Sequence, residues 1–220
     1  MKALIIKHKG YFIPFIFFFV TGLFIVFSSE KTAIHFKMNA WHNAFGDAIM
    51  PSLTYLADGI SLAIVAIVFL LWRVKAGLYI ALSGALSGLI TQMLKRNVFQ
   101  DHFRPSRVFE DFPDMPLYFV DGVHMHTMYS FPSGHTTAAF AMTFALAVII
   151  QNKIADWILF FTGLILAYTR IYLSQHFLED IVAGSFVGLS TALILATTFY
   201  LKPLQAKWLN HSFISKKQDL

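Results

Sequence analysis

Six stretches of the 220-residue chain carry little or no charge and are dense in Phe, Ile, Leu, Val and Ala: residues 11–28, 60–72, 76–94, 135–150, 157–173 and 178–201. A bilayer's hydrocarbon core of about 30 Å takes roughly 20 apolar residues of helix to cross, and a backbone in lipid must satisfy its own hydrogen bonds. The pattern therefore predicts an all-α, polytopic membrane protein with six transmembrane helices. The run 60–72 is short, so its helix is expected to begin upstream. The first run follows Lys2, Lys7 and Lys9 and shows no small-residue cleavage signature after Phe27, which makes it a signal anchor.

Between the runs the periodicity changes. Trp41, Phe45, Ile49, Leu53 and Leu56 recur at three- and four-residue steps while Asn43, Asp47 and Ser52 take other positions, which predicts an amphipathic helix in the membrane interface, kinked at Pro51. In the third run Gly84 and Gly88, with Ser83 and Ser87, form a small-residue face on which another helix can pack; Gly184 and Gly188 do the same in the sixth. Residues 95–134 are polar, a connection too long to be idle. Lys202, Lys207, Lys216 and Lys217 mark the tail as solvated or headgroup-bound. No linker or repeat divides the chain, so residues 1–220 are expected to form one domain.

Composition strengthens the membrane reading: 57% of residues are hydrophobic, 13% are charged, and 24 are Phe. Without cysteine there is neither a disulfide framework nor a thiolate metal site. The net charge of +5 sits mostly in short flanks of the apolar runs, which excludes a nucleic-acid-binding face and reports topology instead. With six spans, the side holding both termini collects ten Lys or Arg against two acids, and the other side seven against ten. The positive-inside rule then puts both termini in the cytoplasm and the 95–134 loop outside.

Candidate chemistry gathers on that outer side. In Phe131-Pro132-Ser133-Gly134-His135, Ser133 can cap the next helix, Gly134 admits a ligand close to the backbone, and the first-turn amides attract an anion. Arg170 sits late in an apolar span, where an unpaired guanidinium is costly, so a functional role is favoured. His176 and Asp180, four apart, share a helical face if the sixth helix begins there; the carboxylate would hold the imidazole in one tautomer and leave Nε2 its lone pair. Lys95-Arg96 and Arg104-Pro105 complete a set of cations whose ordinary reading is snorkelling or loop charge. His124 and His126 read as solvated histidines, His35, His42 and His102 as surface groups, and Tyr129 and Phe131 as the pocket mouth.

Taken in order, these segments resemble the signature of the type 2 phosphatidic acid phosphatase superfamily: Lys-x6-Arg-Pro, Pro-Ser-Gly-His and Ser-Arg-x5-His-x3-Asp. The resemblance runs from Lys95 to Asp180, with Thr169 in place of Ser and the first motif stretched to eight residues between Lys95 and Arg104. Lys95 or Arg96 takes its first place, Lys95 being favoured because Lys is the family's residue. The resemblance implies a phosphatidic acid phosphatase type 2/haloperoxidase-like helical core and a phosphatase with no metal and no cofactor. His176 would be the nucleophile, Asp180 its orienting partner and His135 the general acid and base. Lys95, Arg104, Ser133, Gly134 and Arg170 would hold the phosphate. The partner would be a lipid phosphate at the outer face of a bacterial inner membrane. Undecaprenyl diphosphate is the first expectation; phosphatidylglycerol phosphate, phosphatidic acid and lipid A are others. A non-hydrolytic lipid or anion transporter is the rival class, opposed by the absence of a broken-helix repeat, and a vanadate haloperoxidase is opposed by the six spans.

Overall fold

The computed structural model describes residues 1–201 and 207–213, and every regular element among them is helical. In chain order these are α1 (Lys2–Lys7), α2 (Lys9–Ser28), α3 (Lys31–Asn39), α4 (Ala44–Leu53), α5 (Gly59–Trp72), α6 (Val74–Met93), α7 (Pro105–Val108), α8 (Gly134–Ile150), α9 (Lys153–Tyr172) and α10 (Leu178–Ala196). Helices 9–28, 74–97, 153–172 and 178–201 are long and apolar enough to cross a membrane. A fifth crossing results if 44–57 and 59–72, bent by 55° at their junction, count as one. α8 is shorter, at 17 residues.

α8 is the axis of the bundle. Eleven of its 17 residues are buried, and it packs against α6, α9 and α10. α5, by contrast, buries only Leu62 and Ala66 of its 14 residues and turns an apolar surface outward. The difference explains the short span: a helix enclosed by other helices does not itself have to match the lipid thickness along its length. Aromatic side chains fill the space between α2, α8 and α9, where Tyr11, Phe140, Phe144 and Phe160 meet edge to face and the Tyr11 hydroxyl lies 2.8 Å from Thr143 Oγ1.

The glycines set how closely the helices approach. A β-carbon at Gly188 would fall 2.3 Å from the Thr137 carbonyl oxygen, and one at Gly184 2.6 Å from that of Ser133, so α10 and α8 touch backbone to backbone as the small-residue spacing predicts. Gly84 instead makes room for the Leu62 side chain of α5. Gly88 does not: nothing lies within 4 Å of its β-carbon position, and it opens a cavity rather than a helix contact.

Three further expectations change. The amphipathic helix expected over Trp41–Leu56 is α4 with a 3-10 turn at Thr54–Ala57, preceded by the separate α3; Pro51 lies within α4, and the chain bends instead at Asp58, whose carboxylate caps α5 by accepting from the Ser61 amide at 2.8 Å. His35 is buried, not a surface group, and His42 is half-buried. The terminal segments are docked: His8 Nδ1 meets Asp156 Oδ1 at 2.9 Å in the interior, and the Val74 amide donates to the His211 carbonyl at 3.1 Å. Lys202, Lys216 and Lys217 of the tail lie outside the described residues, as does the Lys207 side chain.

Gly188→Ala is expected to destabilise the protein in detergent by about 1–3 kcal/mol through overpacking, whereas Gly88→Ala stays within about 0.5 kcal/mol of wild type. Paired thermal unfolding of the two variants measures the contrast.

Candidate active site

Three segments meet at one end of the bundle. In the first, Ser133 caps α8: its Oγ accepts from the Thr136 amide at 3.4 Å and from Thr136 Oγ1 at 3.0 Å. The Ser133 amide donates to the Asp180 carbonyl at 3.0 Å, which joins the entry of α8 directly to the first turn of α10. Gly134 is the first residue of α8 and His135 the second. His135 stands on the wall of an apolar cavity of about 520 Å³ between α5, α6 and α8, with Asp58, Gly88, Thr91 and Gln92 beside it.

The second segment is the reversal between α9 and α10. The Arg170 carbonyl accepts from the amides of Gln175 at 2.9 Å and His176 at 3.1 Å, and Ser174 takes a φ of 50°. A non-glycine residue in that left-handed region stores on the order of 1–3 kcal/mol. The turn sets His176 Nδ1 3.1 Å from Asp180 Oδ2. Asp180 Oδ2 also accepts from the Phe177 amide at 2.9 Å and from the Ser130 hydroxyl. With the carboxylate as acceptor the proton sits on Nδ1, and Nε2 keeps its lone pair. Burial first, then the charges of Arg104, Lys95 and Arg170, holds the His176 imidazole well below the ordinary histidine range, so the ring is neutral.

The third segment supplies cations. Residues 94–98 form a π-helical turn at the end of α6, which takes an extra residue into the helix and accommodates part of the stretched first motif. Lys95 turns inward and Arg96 outward: Lys95 is buried and its Nζ donates to the carbonyls of Tyr129 at 2.6 Å and Ser130 at 3.3 Å, while Arg96 is exposed. Arg104 donates from Nε to the Met128 carbonyl at 2.9 Å and from one terminal nitrogen to the Gln175 carbonyl at 3.3 Å and Oε1 at 3.1 Å. Arg170 donates to Thr54 Oγ1 at 2.7 Å, and its buried Nε has no partner. Lys95 and Arg104 line an open cleft of about 360 Å³ with the 124–129 loop, where His124, His126 and Tyr129 are exposed. Phe131 instead meets Phe99 edge to face and His102 at a tilt.

Lys95, Arg104, His176 and Asp180 are thus linked through Ser130 and Gln175, while His135 lines the separate apolar cavity; the acceptors around them were not foreseen. Ser130, Gln175 and Thr54 hold Asp180, Arg104 and Arg170 through ordinary hydroxyl and amide contacts, and no spacing in the sequence marks them. Thr169, in the position of the family's Ser, donates back to the Leu166 carbonyl at 2.6 Å and is buried, so the replacement leaves the site's edge intact. Among the described residues, none of Lys95, Arg104 and Arg170 forms an ion pair. Buried positive charge held by neutral acceptors, next to a helix N-terminus, is a receptor for a multiply charged oxyanion.

A family model described as the PAP2 superfamily matches residues 72–203. The chain belongs to the PAP2 superfamily. Its similarity to characterised members is partial. It is 33% identical over 134 residues to a lipid A 4'-phosphatase of Porphyromonas gingivalis, covering 59% of this chain and 55% of that protein. It is 35% identical over 71 residues to the undecaprenyl-diphosphatase BcrC of Bacillus subtilis, covering 32% and 34%. A lipid A 1-phosphatase of Rhizobium johnstonii is 29% identical over 133 residues, 56% and 48%. The chain therefore spans about half the length, or less, of the curated relatives it matches. Two PAP2-type solved structures share the fold: Aquifex aeolicus LpxE, with a TM-score of 0.66 at 23% identity over 76% of this chain and 94% of that one, and a phosphatidylglycerolphosphate phosphatase of Bacillus subtilis, with 0.64 at 21% over 90% and 98%.

An oxyanion that binds between these cations stabilises the fold by mass action, about 1.4 kcal/mol at ten times its dissociation constant. Orthovanadate is expected to raise the melting temperature of wild type and of Arg96→Ala and to leave that of Lys95→Ala unchanged, as read by thermal shift over a vanadate titration.

Proposed function

We propose that this PAP2 member is a metal-independent lipid phosphatase, hydrolysing a phosphate monoester or diphosphate through a phosphohistidine. The observation that carries the reading is the pairing of an oriented, neutral imidazole at His176 with two buried cations, Lys95 and Arg170, and the half-buried Arg104, all held by neutral acceptors and none by a carboxylate. His176 Nε2 attacks phosphorus; the P–O bond to the lipid breaks, and His135, protonated, gives its proton to the departing oxygen. His135 then takes a proton from water as that water attacks the phosphohistidine, which frees His176 and inorganic phosphate. Asp180 stabilises the charge that His176 acquires. Lys95, Arg104 and Arg170, with Ser133 and the Gly134 amide, hold the non-bridging oxygens, because phosphoryl transfer is served chiefly by positioning and charge stabilisation.

We read residues 1–220 as one domain with six crossings, α4–α5 and the enclosed α8 each counting as one, and with α3 in the interface. Both termini then face the cytoplasm of a bacterial inner membrane and the site faces outward. The cavity beside His135 is lined by Leu62, Ala66, Ala81 and Gly84 and accepts hydrocarbon. For the head group, we place a phosphorylated glycolipid of the lipid A kind first, supported by two relatives that align over more than half of the chain. Undecaprenyl diphosphate, the expectation from sequence, is the second reading, supported by the shorter match to BcrC.

Purified protein is expected to release phosphate from lipid A, undecaprenyl diphosphate or phosphatidylglycerol phosphate, with EDTA leaving the rate unchanged and His176→Ala lowering kcat by about 10³-fold or more. Turnover by a folded His176→Ala protein would sink the mechanism. Because the His176 imidazole titrates well below its usual value of about 6.5, the loss of rate from protonating the nucleophile is confined to the acid side of that value.

A side chain at Gly88 enters the cavity without a clash. Gly88→Phe is therefore expected to raise KM for a long-chain lipid phosphate by about tenfold, equivalent to about 1.4 kcal/mol of lost tail contact, and to leave hydrolysis of p-nitrophenyl phosphate within twofold. Steady-state kinetics on the two substrates decides it.

A further inference from the structure

Three segments distant in sequence meet at one buried hydroxyl. Ser174 Oγ accepts from Asn39 Nδ2 at 3.1 Å and lies 3.1 Å from His35 Nε2. Asn39 is bonded at both ends of its amide: Nδ2 also donates to the Tyr118 carbonyl at 2.8 Å, and Oδ1 accepts from the Tyr118 amide at 2.8 Å. His35, Asn39 and Ser174 are all at least nine-tenths buried, and Phe109 and Phe177 press on the His35 ring. A short polar chain therefore links α3, the outer loop at Tyr118 and the turn that leads into His176.

Ser174 is an unusual residue at that place. Helices often end on a residue of positive φ, and glycine is the usual choice because it has no β-carbon. Here a serine takes φ 50° one residue before Gln175, which clamps Arg104, and two before His176. Among the described residues, the Ser174 hydroxyl is the side-chain group of this turn that hydrogen-bonds to α3, while Phe177 reaches α3 by packing on His35. Glycine would adopt the same backbone but could not be held.

We propose that Asn39 and His35 are positioning residues for the nucleophile, acting through Ser174 to fix the turn that aims His176 and Arg104 at the phosphate. Burial, with a smaller contribution from His42, lowers the His35 pKa to about 4, so His35 joins the chain as a neutral ring at any pH at which the enzyme would work. Positioning on this route is independent of Asp180, which orients the ring of His176 but not the backbone that carries it. α3 thereby becomes part of the catalytic apparatus without touching substrate. The proposal rests on the phosphatase reading of the site.

The test uses full-length protein in detergent with four variants, Asn39→Ala, Ser174→Ala, Ser174→Gly and the double variant Asn39→Ala/Ser174→Gly, each measured for melting temperature, kcat, KM and orthovanadate inhibition. Wild type with no phosphate release would refute the phosphatase reading itself; the remaining outcomes bear only on the latch. Asn39→Ala and Ser174→Gly are expected to lower kcat at least tenfold, with KM within threefold. Vanadate inhibition, which requires a bond to the aimed Nε2, should weaken in parallel, while inhibition by inorganic phosphate stays within threefold. Ser174→Gly should melt higher than Ser174→Ala, because it relieves the backbone, without recovering kcat. The double variant should be no slower than the worse single variant, since both cut the same connection. Full kcat in folded Ser174→Gly, or multiplicative losses in the double variant, would overturn the proposal: the hydroxyl would then serve only local stability, or the two residues would act separately.

Discussion

Burying a cation without a counter-ion is the constraint around which this protein's site-bearing end is built. Lys95 and Arg170 are at least nine-tenths buried and Arg104 is half-buried, and each is satisfied by carbonyls, a hydroxyl or an amide rather than by a carboxylate. Neutral acceptors offset the lost hydration of these groups but do not cancel their charge. The nearby carboxylate, Asp180, is committed to His176, Ser130 and the Phe177 amide. A net positive field therefore persists at the entry of α8. It favours an anion, and it adds to burial, the larger cause, in keeping the His176 imidazole unprotonated.

The bundle behind the site makes that arrangement sustainable. α8, enclosed by α6, α9 and α10, brings its amino terminus to the cations from the interior, and the loop between α7 and α8 returns over them so that the carbonyls of Met128, Tyr129 and Ser130 accept from Lys95 and Arg104. Those carbonyls come from a stretch with neither helix nor strand, where backbone acceptors are not spent on local hydrogen bonds. The irregularity of the loop is thus a chemical requirement: a regular helix across 128–130 would have withdrawn the acceptors that hold Lys95 and Arg104.

Much of this was legible before the structure, and for identifiable reasons. Helix placement followed from uncharged runs, and α8 and α10 were expected to approach closely from Gly184 and Gly188. The pairing of His176 with Asp180 was expected from a shared helical face, but α10 begins at Leu178, and it is the turn ahead of the helix that brings the ring to Asp180. The contribution of Ser130, Gln175 and Thr54 was not legible, because a hydroxyl or amide that satisfies a distant cation leaves no periodic trace. His35 looked like a surface group for the same reason: its polarity suggested water, and only the fold shows that Ser174 and Asn39 replace it. Gly88 was misjudged because identical spacing produces a packing face only where a neighbouring helix bulges to meet it, as Leu62 does for Gly84 and nothing does four residues later.

The backbone contact between α8 and α10 has a consequence for divergence. His135 rides on one helix and Asp180 on the other, and the separation of the two is gauged by glycine against carbonyl, a contact with almost no compliance. The distance between the ends of α8 and α10 is therefore set inside the bundle, and the 99–129 segment, which carries Arg104 and the Met128 and Tyr129 carbonyls, is not needed to fix it. Change in that segment can therefore alter the cation arm of the site while the spacing of α8 and α10 stays the same.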